Sequence, residues 1–324
     1  PFGLPVQVLS CVERPFGAIS RNLPDPVRRF LTETPLFPAK NPSIAAPRAG
    51  RARESLLDDL RAGRLGSLIG IYGERAIARL QRVAVEETRL HIPLIFACDV
   101  MHGYRSIFPV PLGEASAFDP DLWTSTARVA AEETRADGVT MTFAPMTDVT
   151  RDPRWGRGQE TYGEDPFLLG EMGVALTEGT QHHVMACVKH FALNSMENAR
   201  FSVDVSVADD VLHEVYLPHF ERAVAAGVAS VMSAYNSLNG EWCGHSRHLL
   251  TEVLREQWGF DGFVISDWIF GLRDGVQSVT AGLDVEMPYL DGISTLPTLI
   301  QSRPSDTTSH TFLAGSRPAR LWST

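Results

Sequence analysis

From Leu65 onward, short apolar runs alternate with longer stretches of helical period, and this alternation constrains the fold more than any other feature of the chain. Seven runs read as strands: "LGSLIGIY", "PLIFACDV", "MTFAPM", "VMACVKHF", "SVMSAYNS", "GFVISDW" and "LDVEMP". They are apolar throughout, as expected of strands covered on both faces of a parallel sheet. The segments between them include "RAIARLQRVAVEETR", "PDLWTSTARVAAEETRADG", "PFLLGEMGVALTEGT", "DDVLHEVYLPHFERAVAAG" and "LLTEVLREQWG", several closed by Gly just past a helix end. Pro218 should kink or restart its helix, since proline removes a backbone donor and clashes with the preceding turn. No G-x-G-x-x-G follows the first strand, which argues against a dinucleotide-binding sheet. The expected fold class is α/β, a TIM-type (β/α)8 barrel whose first and last units are incomplete in the pattern.

A length of 324 residues accommodates such a barrel as one unit. The expected organisation is an atypical segment 1–50, rich in Pro, Arg and Ser, a barrel over 51–300, and an atypical tail 301–324. The net charge of -10 makes nucleic acid an improbable partner. No apolar run approaches the roughly 18 to 20 residues that cross a bilayer, and the N-terminus lacks the basic region of a signal peptide. The chain reads as soluble and not membrane-bound: cytoplasmic, or periplasmic or secreted if a leader has been removed. Homo-oligomerisation is compatible with all of this. Cys11, Cys98, Cys187 and Cys243 form no C-x-x-C pair, so a zinc or redox dithiol site is not expected, and Cys98 and Cys187 read as small buried hydrophobes.

Active sites of parallel barrels are assembled at the C-terminal ends of the strands. Polar residues collect there in this chain. The second strand ends at Asp99, the third runs into "APMTDVTRDPRWGRGQETYGEDP", the fourth ends in Lys189 and His190, the fifth near Tyr235 and Asn236, the sixth at Asp267 and Trp268, and the seventh at Glu286. Singly, Asp99 reads as a helix cap, Lys189 as a solvated strand end and His190 as a satisfied core histidine. Asp267 resists such a reading, because a carboxylate closing a fully apolar strand needs a partner or a task. Together with Trp and Tyr, these groups have the composition of a site for a neutral polyhydroxylated ligand, which needs paired hydrogen bonds and an aromatic face. Metal ligation is weighed as a rival and not expected: there is no His-x-His or H-E-x-x-H, and His182 and His183 point to opposite sides if they begin a strand. "MPYLDGI" is no phosphate nest.

The stretches "DPRWGRGQETYGEDP", "KHFALNSMENAR", "VMSAYNSLNG" and "GFVISDW", in this order, resemble the barrel domain of family 3 glycoside hydrolases, which includes many β-glucosidases; the resemblance runs from about residue 56 to 292. It implies a retaining β-glycosidase, acting on a small β-glucoside or oligosaccharide without a cofactor, in which Asp267 is the catalytic nucleophile. It implies that Asp99, Arg105, Arg157, Lys189, His190 and Arg200 bind hydroxyls of the sugar and that Met232, Tyr235 and Trp268 form its walls and platform. The sequence departs from the family at the general acid/base. Two-domain members take it as a Glu from a second domain, for which a chain ending at 324 has no room. The N-acetylglucosaminidase branch uses a His after "KHFPGHG", where this chain has "KHFALNSMENAR". A sugar-binding barrel impaired in catalysis, a β-N-acetylglucosaminidase and a β-xylosidase are the alternatives, and Glu160 and Glu197 are local candidates for the missing acid.

Overall fold

The computed structural model describes residues 52–287, except Arg64 and Ile269. The expected segments 1–50 and 301–324, and both edges of the 51–300 unit, lie outside the described residues. Helix α1 (Ala52–Arg61) precedes β1 (Ser67–Ile69), α2 (Glu74–Arg82) leads to β2 (Ile95–Cys98), and α3 (Pro111–Ala115) and α4 (Pro120–Ala136) lead to β3 (Met141–Thr142). Helix α5 (Pro166–Gln181) connects to β4 (Cys187–Phe191), and α6 (Pro218–Ala225) to β6 (Ser230–Ser233). A helix His248–Gln257, wound with i→i+5 bonds, then leads to β9 (Phe263–Ile265), followed by α7 (Gly275–Ala281).

Two of these helices start where the local sequence dictates. In "DPDLW" and "DPFLL" an Asp precedes Pro. Asp119 accepts hydrogen bonds from the amides of Asp121 and Leu122, Asp165 accepts from Phe167, and Pro120 and Pro166 occupy the first helical position, where no amide is needed. Pro218 restarts its helix after a break at Leu217, as expected.

Strands β1, β2 and β3 are parallel neighbours, as are β4, β6 and β9. The two groups join through parallel bridges from Met141 to Met185 and from Met146 to Lys189, and Val285 continues the series beyond Ile265. All seven expected strand positions are therefore adjacent and parallel, although "LDVEMP" contributes one bridge and not a strand. The side chains show why every position had to be apolar. Phe96 and Cys98 face the helices, packing with Ile77, Val83 and Ala130, while Ala97 and Ile95 face inward. The inward cluster draws on every strand position: Ile69, Ala97, Met141, Cys187, Met232, Ile265 and Met287. The sheet is thus curled around one interior, with helices packed outside it. Among the described residues no pairing closes the ring.

A small side sheet escaped the periodicity. β5 (Asp204–Val205) pairs parallel with β7 (Ser237–Leu238), which pairs antiparallel with β8 (Glu241–Trp242). Two-residue strands carry too few side chains to register as alternation. His182 and His183 do not begin a strand; His182 caps the end of α5 and His183 lies in the turn after it. Cys98, Cys187 and Cys243 are buried and form no disulfide among the described residues, and burial pushes the Cys187 and Cys243 thiols up to about 12, so these two behave as hydrophobes. Among the described residues no helix is long and apolar enough to cross a membrane.

Candidate active site

Asp267 lies two residues beyond β9 and is 6% exposed. Its Oδ1 accepts a hydrogen bond from the amide of Trp268 at 2.7 Å, whereas Oδ2 has no hydrogen-bond partner and stands 3.6 Å from His190 Nε2. Gly271 permits this placement. A Cβ on it would lie 2.6 Å from the Asp267 carbonyl oxygen and 2.7 Å from its nitrogen.

His190 is fixed from behind. Buried Asp148, six residues beyond β3, accepts from the His190 amide at 3.0 Å and pairs with its Nδ1 at 2.8 Å. Burial alone would raise the Asp148 pKa, but His190, which meets it through both its ring Nδ1 and its amide, with Arg157 nearby, holds it below the ordinary carboxylate range. On the other edge of the ring, Arg157 Nη1 lies 3.2 Å from Nε2. A guanidinium only donates, so Nε2 accepts and Nδ1 carries the proton toward Asp148. Burial disfavours the Arg157 charge, but Glu160, then Asp267 and Asp148, hold its pKa above the usual value. Glu160 grips Arg157 with both oxygens, at 2.8 to 3.1 Å.

Lys189, 3% exposed in the middle of β4, sends its Nζ to Asp99 Oδ1 at 2.7 Å, and the buried thiol of Cys187 senses the charges of Lys189, Asp99 and Asp267 together. The peptide bonds Lys189–His190 and Phe191–Ala192 are cis. Tyr235, its pKa raised well above the ordinary value by burial and then by the Asp267 charge, remains a neutral phenol, with Arg157 and Arg200 nearby. Its ring meets Phe201 edge-on at 4.8 Å, and Trp268 meets Phe143 at 4.7 Å, so aromatic faces flank the carboxylate. Arg200 lies over Phe201, with its Nε buried and without a hydrogen-bond partner.

The structure therefore gathers Asp99, Arg157, Lys189, His190, Arg200, Tyr235 and Trp268 around Asp267, and sets Met232 in the interior cluster to which Trp268 also belongs. It does not bring Arg105 there. Arg105 pairs with Asp137 at 2.7 Å, with its side chain 67% exposed, because the loop after β2 folds back onto the end of α4, where Glu133 accepts its amide. Asp148 is the residue that sequence reasoning passed over. Its signal was present, an acid just past the run "MTFAPM" without a helix to cap. Glu197 accepts from the amide of Gly156 at 2.9 Å and lines a cleft of about 450 Å³, together with Arg151, Trp155, Met196 and Tyr216, one loop away from Arg157. Chemically, the assembly is a buried carboxylate with one unpartnered oxygen, surrounded by cations, neutral donors and aromatic rings. It suits a ligand rich in hydroxyls that develops positive charge.

Known proteins resemble the chain closely. The periplasmic beta-glucosidase of Salmonella typhimurium is 39% identical over 223 residues, covering 66% of this chain and 29% of that protein. Thermostable beta-glucosidase B of Acetivibrio thermocellus is 40% identical over 225 residues, covering 64% and 30%. The crystal structure of a beta-glucosidase from Listeria innocua in complex with isofagomine superposes with a TM-score of 0.68 at 36% identity over 73% of this chain and 36% of that one, and the same protein is known in complex with glucose. This chain thus spans about a third of the length of these relatives. A family model described as the glycosyl hydrolase family 3 N terminal domain matches residues 46–304, and the chain therefore belongs to that family.

Proposed function

We propose that the domain is the nucleophile-bearing (β/α)8 barrel of a retaining β-glycosidase acting on terminal β-D-glucosyl residues. The observation that carries this reading is the Asp267 carboxylate, buried at a strand end with Oδ2 unpartnered and facing His190. In this reading Oδ2 attacks the anomeric carbon, the C–O bond to the leaving group breaks, and the sugar is held as an ester on Asp267 until water releases it. Lys189 and Asp99 hydrogen-bond adjacent hydroxyls, with Arg157, His190 and Arg200 completing the polar shell. Trp268 and Tyr235 offer apolar faces to the C–H surface of the ring. Asp148 and Glu160 act through others: they hold His190 and Arg157 in register, so that hydrogen bonds aimed at the transition state need no reorganisation. The complexes of the Listeria innocua relative with isofagomine and glucose support glucose as the sugar.

The departing oxygen also needs a proton. Glu160 is bound to Arg157 and Glu197 to the amide of Gly156, so neither local carboxylate is placed to donate it. This favours a second reading, a barrel that binds sugar but turns over poorly unless a proton donor reaches it from outside these residues.

Labelling tests the assignment. A 2-fluoroglucoside with a good leaving group should trap an ester, and peptide mapping should find it on Asp267. Asp267→Ala should abolish turnover of aryl glucosides while glucose binding changes only by a small factor. Wild-type turnover in that variant, or a label on another residue, overturns the nucleophile.

A further inference from the structure

On the outer wall, away from the sugar chemistry, three side chains from two helical segments converge. Asp209 and His213 lie one turn apart in the segment that runs from Asp209 through Tyr216, with Asp209 Oδ1 3.8 Å from His213 Nε2. His248 opens the helix His248–Gln257, 35 residues further on. One ligand atom from each of the three lies within 4.8 Å of the others. We infer that Asp209, His213 and His248 form a surface site for a divalent transition-metal ion of the Zn2+ type.

Ligand chemistry selects the ion. Two imidazoles and one carboxylate suit zinc and its neighbours, whereas calcium and magnesium require shells of oxygen. The orientation of His248 agrees. Its Nδ1 faces Glu252 Oε2 at 3.2 Å, one turn along the same helix, which leaves Nε2 to bind. A carboxylate on the far nitrogen of a ligating histidine fixes the ring and raises its basicity. Bonds of about 2.0 to 2.2 Å in tetrahedral array set ligand atoms about 3.4 Å apart, so the site must tighten by roughly an ångström. Its side chains have room to do so, being 84%, 37% and 44% exposed at Asp209, His213 and His248. A fourth position stays open to water.

One effect opposes the ion. Both helical segments begin at the site, and helix N-termini carry partial positive charge; Arg247 stands nearby as well. Asp209, Asp210 and Glu252 answer with negative charge, and Arg247 is engaged by Glu252 and Glu256 at 3.4 and 3.7 Å. The consequence is structural. The two segments flank β6 and β9, packing Leu212, Leu249, Leu250 and Val253 into one core with Val231 and Val264, and a shared ion would staple their starts together.

Titration calorimetry of the full chain with zinc sulfate should give one saturable site. Saturating Zn2+ should raise Tm, whereas Mg2+ and Ca2+ should not, because an ion that binds only the native state stabilises it by mass action. His213→Ala and His248→Ala should each weaken Zn2+ binding by about 100-fold or more, and Glu252→Gln by about tenfold. All three positions are partly exposed, so metal-free Tm should be preserved. His182→Ala is the control and should bind as wild type. Co2+ should give the intense visible absorption of a tetrahedral site, lost in His213→Ala. Absence of saturable binding, affinity unchanged in the two histidine variants, or an equal Tm shift with Mg2+ overturns the proposal.

Discussion

At the scale of single residues, the acid at the end of "GFVISDW" raised a demand that the structure answers. Asp267 is buried, yet His190, Arg157 and Tyr235 surround it, and His190 is in turn braced by Asp148. The identities of most of these residues were legible, because each closes or follows a strand run. The fates of Arg105 and Asp148 were not, because which loop folds back onto α4 is decided by packing. A second buried histidine offers a test of the electrostatics. His219 is 1% exposed, neither ring nitrogen has a hydrogen-bond partner, and burial lowers its pKa to about 3. The unfolded chain protonates this residue below its ordinary value of about 6.5, whereas the native protein does so only near 3. Stability is therefore lost as pH falls from about 6.5 toward 3. Urea unfolding at pH 7.5 and 5.0 should show a drop that is smaller in His219→Leu by roughly 2 kcal/mol. An equal drop in both proteins would mean that His219 is protonated in the fold.

At the scale of elements, helices α4 and α5 show what periodicity predicts and what it omits. Their starts follow from Asp-Pro pairs and their inner faces from Trp123, Ala127, Leu169, Met172 and Leu176. How closely they approach depends on Gly179. A Cβ there would lie 2.4 Å from the Thr124 carbonyl oxygen and 2.9 Å from Ala127 Cβ. Backbone cannot yield as a long side chain can, so Gly179→Ala should force the helices apart and destabilise the fold by about 1 to 3 kcal/mol, despite alanine's better helix propensity. Thermal melts decide between the two effects; a raised Tm would mean that propensity wins. The side sheet β5, β7 and β8 was invisible to pattern for a related reason: its two-residue strands are held by long-range pairing and by Asp204, which accepts from Ser237 and Gly240.

At the scale of the whole molecule, the chain spans about a third of its relatives' length, and the two local glutamates considered as acids, Glu160 and Glu197, are already bound to Arg157 and the amide of Gly156. Proton donation matters in proportion to how poor the leaving group is. The chain alone should therefore cleave a dinitrophenyl β-glucoside but fail on cellobiose, with kcat/KM falling steeply as leaving-group pKa rises. Comparable rates on both substrates would place a working acid within these residues, and Glu160 and Glu197 would be the ones to replace. The sequence by itself determined the order of strands and helices, the burial of the sheet on both faces and the array of polar residues at strand ends. Each of these follows from local period, capping chemistry and the cost of burying charge. Only the tertiary structure decided that Asp148 stands behind His190, that Arg105 leaves the site, and that His213 meets His248. Those contacts join residues 32 to 42 positions apart, at distances set by the curl of the sheet and by which helix faces pack, and no local pattern encodes them.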